Sequence, residues 1–152
     1  MGNFGLFRLQ DQRDNMFITQ YQGAAVMMPD NPEDPNQYFQ YDENPGQIIN
    51  PFTGMCLDDL GGESKGGFDT TAVVVFSPCE LSNTNQMFVM TTNNQIYNRF
   101  WPNNQICFNR DGLYYPGTSY FTLKLWACTT TNPDEVFNVL ILCSPGTVLY
   151  IY

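Results

Sequence analysis

Histidine is missing from the 152 residues, and basic residues are scarce: Lys and Arg number 6 against 15 Asp and Glu, a formal charge of -9. Without an imidazole there is no Ser-His-Asp triad, no Cys-His nucleophile pair, no histidine metal site and no histidine pH switch. An acid excess of this size repels phosphate polymers and anionic membrane surfaces, which excludes nucleic acid as a natural partner. Long apolar runs are missing too. The segment from Val136 to Cys143 is interrupted by Asn138 and falls short of the roughly 18 to 20 residues that span a bilayer, so no membrane span is expected. The opening MGNFGLFRL has no basic stretch followed by an apolar one, and so carries no visible secretory signal.

What is present points to strands. Charged residues make up 14% of the chain and aromatics 15%, with 12 Gly and 10 Pro, a composition of many short strands punctuated by turns. Polarity comes mainly from amides, 16 Asn and 10 Gln, which suit turns and neutral hydrogen bonding. They fall between apolar runs at regular intervals, the pattern of a packed domain and not of a low-complexity tract.

The intervals form a repeat. Phe39, Phe88 and Phe137 are 49 residues apart (88-39 and 137-88), and each closes a related tetrapeptide: Asn36 to Phe39, Asn85 to Phe88, Asp134 to Phe137. Apolar strands beginning at Ala24, Val73 and Thr122 keep the same period. Upstream, NMFIT ending at Thr19, GMCLD ending at Asp58 and QICFN ending at Asn109 occupy matching places. They are preceded by Phe7, by Gln47-Ile48-Ile49-Asn50 and by Gln95-Ile96-Tyr97-Asn98. Each repeat therefore holds about four short strands, too few to bury an apolar face alone, and packing around a common threefold axis is the economical solution. The expected fold is all-β, a β-trefoil of twelve strands in one domain over 1–152, with repeats of about 5–46, 47–94 and 95–152. Phe39, Phe88 and Phe137 are expected to meet in one core layer. A seven-strand sandwich is the alternative, but it demands no constant period.

The order of GMCLD, a strand ending in cysteine, and then NQMF resembles the ricin B-type (R-type) lectin repeat over nearly the whole chain. The second repeat carries the pattern best, through Cys56-Leu57-Asp58, Cys79 and Asn85 to Phe88; the third follows with Cys107-Phe108-Asn109, Leu125 to Cys128 and Asp134 to Phe137. The first is the most divergent, with Phe17 and Asp30 where the others have cysteines. The resemblance implies disulfides Cys56–Cys79 and Cys107–Cys128, leaving Cys143 outside both. Buried free thiols in a cytosolic trefoil are the other reading. The five cysteines include no CxxC pair, so no metal or other cofactor is expected.

In R-type lectins each sugar is held by an Asp closing the CLD-like motif, an aromatic platform two residues before the second cysteine, and the Asn-Gln pair. A carboxylate accepts from vicinal hydroxyls, a ring covers the apolar face of a pyranose, and amides satisfy the remainder. The second repeat supplies Asp58 with Asn85 and Gln86, but has Ser77 at the platform, with Phe76 turned to the opposite strand face. The third supplies Trp126, but has Asn109 in place of the acid and Asp134-Glu135 in place of Asn-Gln. The first offers Thr19, Met28 and Asn36-Gln37 and reads as structural. Each half-site also has a structural reading: the Asn-Gln pair holding its own turn, Asp58-Asp59 as an Asx-type turn, Trp126 covering the barrel mouth. Aromatic loops at 112–116 and 119–121 either rebuild a site or form a protein contact surface.

By resemblance, then, the chain is a non-enzymatic module with incomplete sites for galactose-type glycans, Asp58, Asn85, Gln86, Asn109 and Trp126 being the candidate binding residues. The alternative is an assembly subunit of a coat, matrix or filament, self-associating through a lectin-like trefoil with vestigial sites. The adjacent acids Asp58-Asp59 and Asp134-Glu135 read as solvated turns and not as a catalytic pair. Disulfides point to an extracellular or cell-surface location, and the absence of a visible signal to the cytoplasm.

Overall fold

A computed structural model describes residues 5–61, 74–100, 106–129, 131–144 and 147–151, with side chains up to residue 142. Its strands are short because turn-formers interrupt the apolar runs every few residues. They are β1 (Phe7–Asp11), β2 (Phe17–Tyr21), β3 (Ala24–Met28), β4 (Gln40–Asp42), β5 (Gln47–Asn50), β6 (Met55–Asp58), β7 (Val75–Pro78), β8 (Phe88–Met90), β9 (Ile96–Asn98), β10 (Ile106–Asn109), β11 (Lys124–Ala127), β12 (Phe137–Ser144) and β13 (Thr147–Ile151). The first twelve fall four to a repeat, as expected. The thirteenth goes beyond that count and pairs antiparallel with β12 at the chain's end.

Within each repeat the second and third strands form a hairpin: β2 with β3, β6 with β7, β10 with β11. The first closes on a two-residue turn, Gln22-Gly23, both at positive φ (50° and 82°), the geometry that matches the strands' own twist. The other two hairpins have longer connections, which is why Thr19, Asp58 and Asn109 are unevenly spaced while the following blocks keep a period of 49. The remaining strands meet edge to edge. β4 pairs with β5, β8 with β9 and β12 with β1, while Phe39 bridges to Phe7, Phe88 donates its amide to the Gly46 carbonyl and Phe137 to that of Asn94. Six strands thus follow one another around a barrel that the three hairpins cap.

The pseudo-threefold axis is explicit in the backbone. Ala25 donates to Val74, Val74 to Leu123 and Leu123 back to Ala25, at 3.0, 3.1 and 2.8 Å, closing a ring between three fully buried residues spaced 49 apart. Only a chain folded on a threefold axis brings one amide and one carbonyl from each repeat into such a circle. Phe39, Phe88 and Phe137 are all 0% exposed and belong to one core cluster. Rings from other strands pack against them: Phe39 meets Phe7 and Phe76, and Phe88 meets Phe108. The close approach at Phe88 requires glycine on the facing turn. Gly46 sits at φ +114°, and a Cβ there would come within 2.8 Å of the Phe88 carbonyl oxygen.

Among the described residues no helix is long and apolar enough to cross a membrane. Both expected disulfides are formed, Cys56–Cys79 and Cys107–Cys128, each with Cα atoms 5.1 Å apart. Cys143 lies in β12, but its side chain is outside the described residues.

Candidate functional site

Each repeat builds the same turn before its fourth strand. Asp34, Asn83 and Asn132, 49 apart, cap 3-10 turns at Pro35–Gln37, Thr84–Gln86 and Pro133–Glu135, each side chain accepting the backbone N–H two residues on. The turn drives its last side chain inward, so Gln37, Gln86 and Glu135 are buried. There each carries out the same task. The side-chain oxygens of Gln37, Gln86 and Glu135 accept from the backbone N–H groups of Asn31, Glu80 and Thr129, at 3.1, 2.9 and 2.7 Å. They also accept from the start of their own repeat, from Arg8 in β1, Gln47 in β5 and Gln95 just before β9.

The same side chains meet the expected sugar-acceptor position. Gln37 Nε2 donates to Thr19 Oγ1 at 3.1 Å and Gln86 Nε2 to Asp58 Oδ2 at 3.2 Å, while the Asn109 amide lies close enough to Glu135 to favour its charged form. In the third repeat, therefore, acid and amide have changed places: Asp58–Gln86 in one repeat is Asn109–Glu135 in the next. The pair survives with its polarity reversed. Burial is the largest influence on Glu135 and raises its pKa above the ordinary 4.5, against the lowering effect of the groups that donate to it.

The two candidate half-sites stand as follows. Asp58 is 2% exposed; Oδ1 accepts from the Leu60 amide at 2.7 Å, and Oδ2 from Asn83 Nδ2 and Gln86 Nε2 at 3.2 Å each. Gln86 also donates to the Pro78 carbonyl at 2.9 Å, so its amide is fully engaged within the protein and it acts through Asp58. Asn85 is partly exposed, and its carbonyl receives the Asp59 amide at 3.0 Å. The loop 62–73 that follows Asp58 is outside the described residues.

In the third repeat the register of β10 and β11 sets Cys107 opposite Trp126 and Asn109 opposite Lys124, so Asn109, Lys124 and Trp126 share one face of the hairpin. Trp126 is partly exposed; Asn109 is buried, its Oδ1 receiving the Asp111 amide at 2.9 Å. Lys124 is 9% exposed, with Nζ 4.5 Å from the Trp126 ring centroid. Sequence reasoning missed this lysine, although its signal was there: residues two apart on a strand share a face, and Lys124 precedes the platform position by two.

The next residue along links repeats. Asn50 Nδ2 donates to Gln20 Oε1 and Asn98 Nδ2 to Asp59 Oδ2, both at 2.8 Å, and Arg110 Nε lies 3.6 Å from Asp11 Oδ1. Arg110 further pairs with Asp14 and Asp134, and Arg13 with Asp134 at 3.0 Å. The first repeat, without cysteines, uses a clasp. The Arg8 guanidinium lies 3.8 Å over the Phe17 ring and bonds Asp30 Oδ1 at 2.6 Å, joining the two residues that stand where Cys56 and Cys79 stand in the second repeat.

No protein-family model matches the chain, and no curated protein matches it in sequence. Solved structures do match it in fold. The C-terminal domain of an earthworm lectin, a mutant in complex with 6'-sialyllactose, superposes with a TM-score of 0.66 at 12% identity, covering 89% of this chain and 97% of that one. An agglutinin from Abrus precatorius gives 0.67 at 13% identity over 90% of this chain, which spans 46% of the agglutinin chain. A designed threefold-symmetric protein, ThreeFoil, gives 0.66 at 10% identity, covering 91% and 99%. The chain has the ricin B-type lectin fold, a β-trefoil.

Proposed function

We propose that the chain is a non-enzymatic carbohydrate-binding module whose principal sugar site is the outer face of the third-repeat hairpin. The observation that carries this is the partly exposed Trp126 beside Asn109, an apolar floor next to an amide on one rigid hairpin tied by Cys107–Cys128. An indole covers the CH face of a pyranose, and an amide both donates to and accepts from hydroxyls. Asp58 with Asn85, positioned by Gln86, is the second half-site, with an acceptor and no ring. The two disulfides favour an oxidising, extracellular setting. Each half-site forfeits one element, so single-site affinity is expected in the millimolar range.

Nuclear magnetic resonance titration of the oxidised chain with a methyl galactoside tests the reading. Binding is expected to fall at least about tenfold in Trp126→Ala. Loss in Asp58→Ala alone would move the site to the second repeat, and no binding by a panel of neutral and acidic sugars would overturn the function. A second reading, self-association of a trefoil brick, is favoured by rings turned to solvent at matching positions: Phe52 and Phe100, each two residues past a first-strand Asn, at 69% and 58% exposure. Sedimentation showing a stable oligomer that Phe52→Ser dissolves would support that reading instead.

A further inference from the structure

The third-repeat hairpin has lost a negative charge and gained a positive one. Asn109 stands where the second repeat carries Asp58, and Lys124 stands where the other hairpins carry Val26 and Val75. Lys124 is nine-tenths buried, yet among the described residues its ammonium meets no carboxylate and no hydrogen-bond acceptor, only the face of Trp126. The other described cations are all engaged: Arg8 with Asp30, Arg13 with Asp134, Arg110 with Asp11 and Asp14, and Arg99 with the Glu43 carbonyl. The acids near the hairpin are held elsewhere. Asp134 bonds Arg13, Asp111 lies 3.8 Å from Arg110, and Glu135 receives Gln95 and the Thr129 amide. The stem of Lys124 is buried, but Nζ retains contact with solvent, so the ammonium rests on an aromatic face and is open to an anion.

We propose that this site takes an acidic sugar, a pyranose bearing a carboxylate or a sulfate, with the anion on Lys124 Nζ and the CH face on Trp126. The inference rests on the reading of the third repeat as the sugar site. An Asp at position 109 would repel such a ligand, whereas Asn109 offers it a neutral amide. The overall charge of -9 opposes an anion at long range, but that field is screened beyond about 8 Å at physiological salt, while the Lys124 contact is made at hydrogen-bonding distance.

The test is titration of the intact oxidised chain at physiological salt with methyl galactoside, methyl galacturonide, galactose 6-sulfate and inorganic sulfate. The two acidic sugars are expected to bind about tenfold more tightly than the neutral one, the increment of one charge-assisted contact. Lys124→Gln should bring that ratio to about one, and Lys124→Arg should preserve it. Galacturonide against galactose 6-sulfate separates carboxylate from sulfate as the anion. Equal affinity for neutral and acidic sugars, or a preference that survives Lys124→Gln, overturns the inference and leaves the sugar reading standing. Sulfate alone binding as tightly as the acidic sugars also overturns it, since the ring would then add nothing. Failure of every sugar, or binding indifferent to Trp126→Ala, overturns both.

Discussion

Glu135 and Asn109 carry the function that Gln86 and Asp58 carry one repeat earlier, with the charge moved from the hairpin strand to the 3-10 turn, both buried. The exchange is a testable coupling. Asn109→Asp alone sets carboxylate against carboxylate in a buried place and is expected to cost about 2 to 4 kcal/mol at pH 7. Glu135→Gln alone sets one amide N–H group against another and costs about 1 kcal/mol. Together they rebuild the Asp58–Gln86 arrangement, with a new donor for the Ala127 carbonyl in the place of Pro78, so the double variant should be more stable than Asn109→Asp. Urea denaturation of all four proteins measures this, and additive losses would disprove the exchange. The pH dependence has a definite sign. Glu135 has a folded pKa above its unfolded one, so its contribution is complete below pH 4.5 and is lost as pH rises through the folded value. Variants carrying Gln at 135 should lose less stability over that range than the wild type, in melting curves taken from acid to neutral pH.

At the level of the element, three hairpins are anchored at their open ends in two chemically different ways. The second and third use disulfides between residues 23 and 21 apart. The first uses Arg8, stacked on Phe17 and bonded to Asp30 and Gln37. The strand registers agree, Phe17 facing Met28 as Cys56 faces Ser77 and Cys107 faces Trp126, so positions 17 and 30 have the backbone relation of a bridged pair. The double variant Phe17→Cys with Asp30→Cys should therefore form a third disulfide, found by peptide mapping under nonreducing conditions. Closing this loop contributes about 3 kcal/mol by chain entropy, set against the lost Arg8 contacts. Alkylatable thiols at both positions in the folded protein would show that the first hairpin is not equivalent to the others.

Over the whole molecule, stability is shared by three units that close on one another. The ring through Ala25, Val74 and Leu123 joins the hairpins, and the polar contacts Asn50–Gln20, Asn98–Asp59 and Asp11–Arg110 join each first strand to the hairpin of the preceding repeat. No repeat is buried by its own residues alone. Phe88→Ala should cost about 3 to 5 kcal/mol, through lost burial and the cavity between Phe108 and the barrel, and this is a large share of the stability of a small domain. Its unfolding should remain one cooperative transition in guanidinium. A loss below about 1 kcal/mol, or a separate early transition, would contradict a shared core.

The trefoil was legible in the residues because a threefold fold must present equivalent side chains at equal intervals, and Phe39, Phe88 and Phe137 do so. The disulfides were legible for the same reason: matching cysteines in matching repeats have matching neighbours. The Arg8 clasp was not, since a salt bridge and a ring contact between residues 8, 17 and 30 carry no spacing rule. The fate of the Asn-Gln pair was also undecided. Asn and Gln have nearly the same chemistry in a one-letter string, and only the 3-10 turn determines that Gln86 points inward to Asp58 while Asn85 remains partly exposed. Lys124 shows the same division. Alternation alone assigns it to the face of Trp126, but whether a lysine there reaches water, a carboxylate or a ring depends on which side chains surround it. Sequence determines what repeats, because periodicity is a property of the chain, and tertiary structure decides which charges are neutralised, because pairing depends on distances between residues far apart in it.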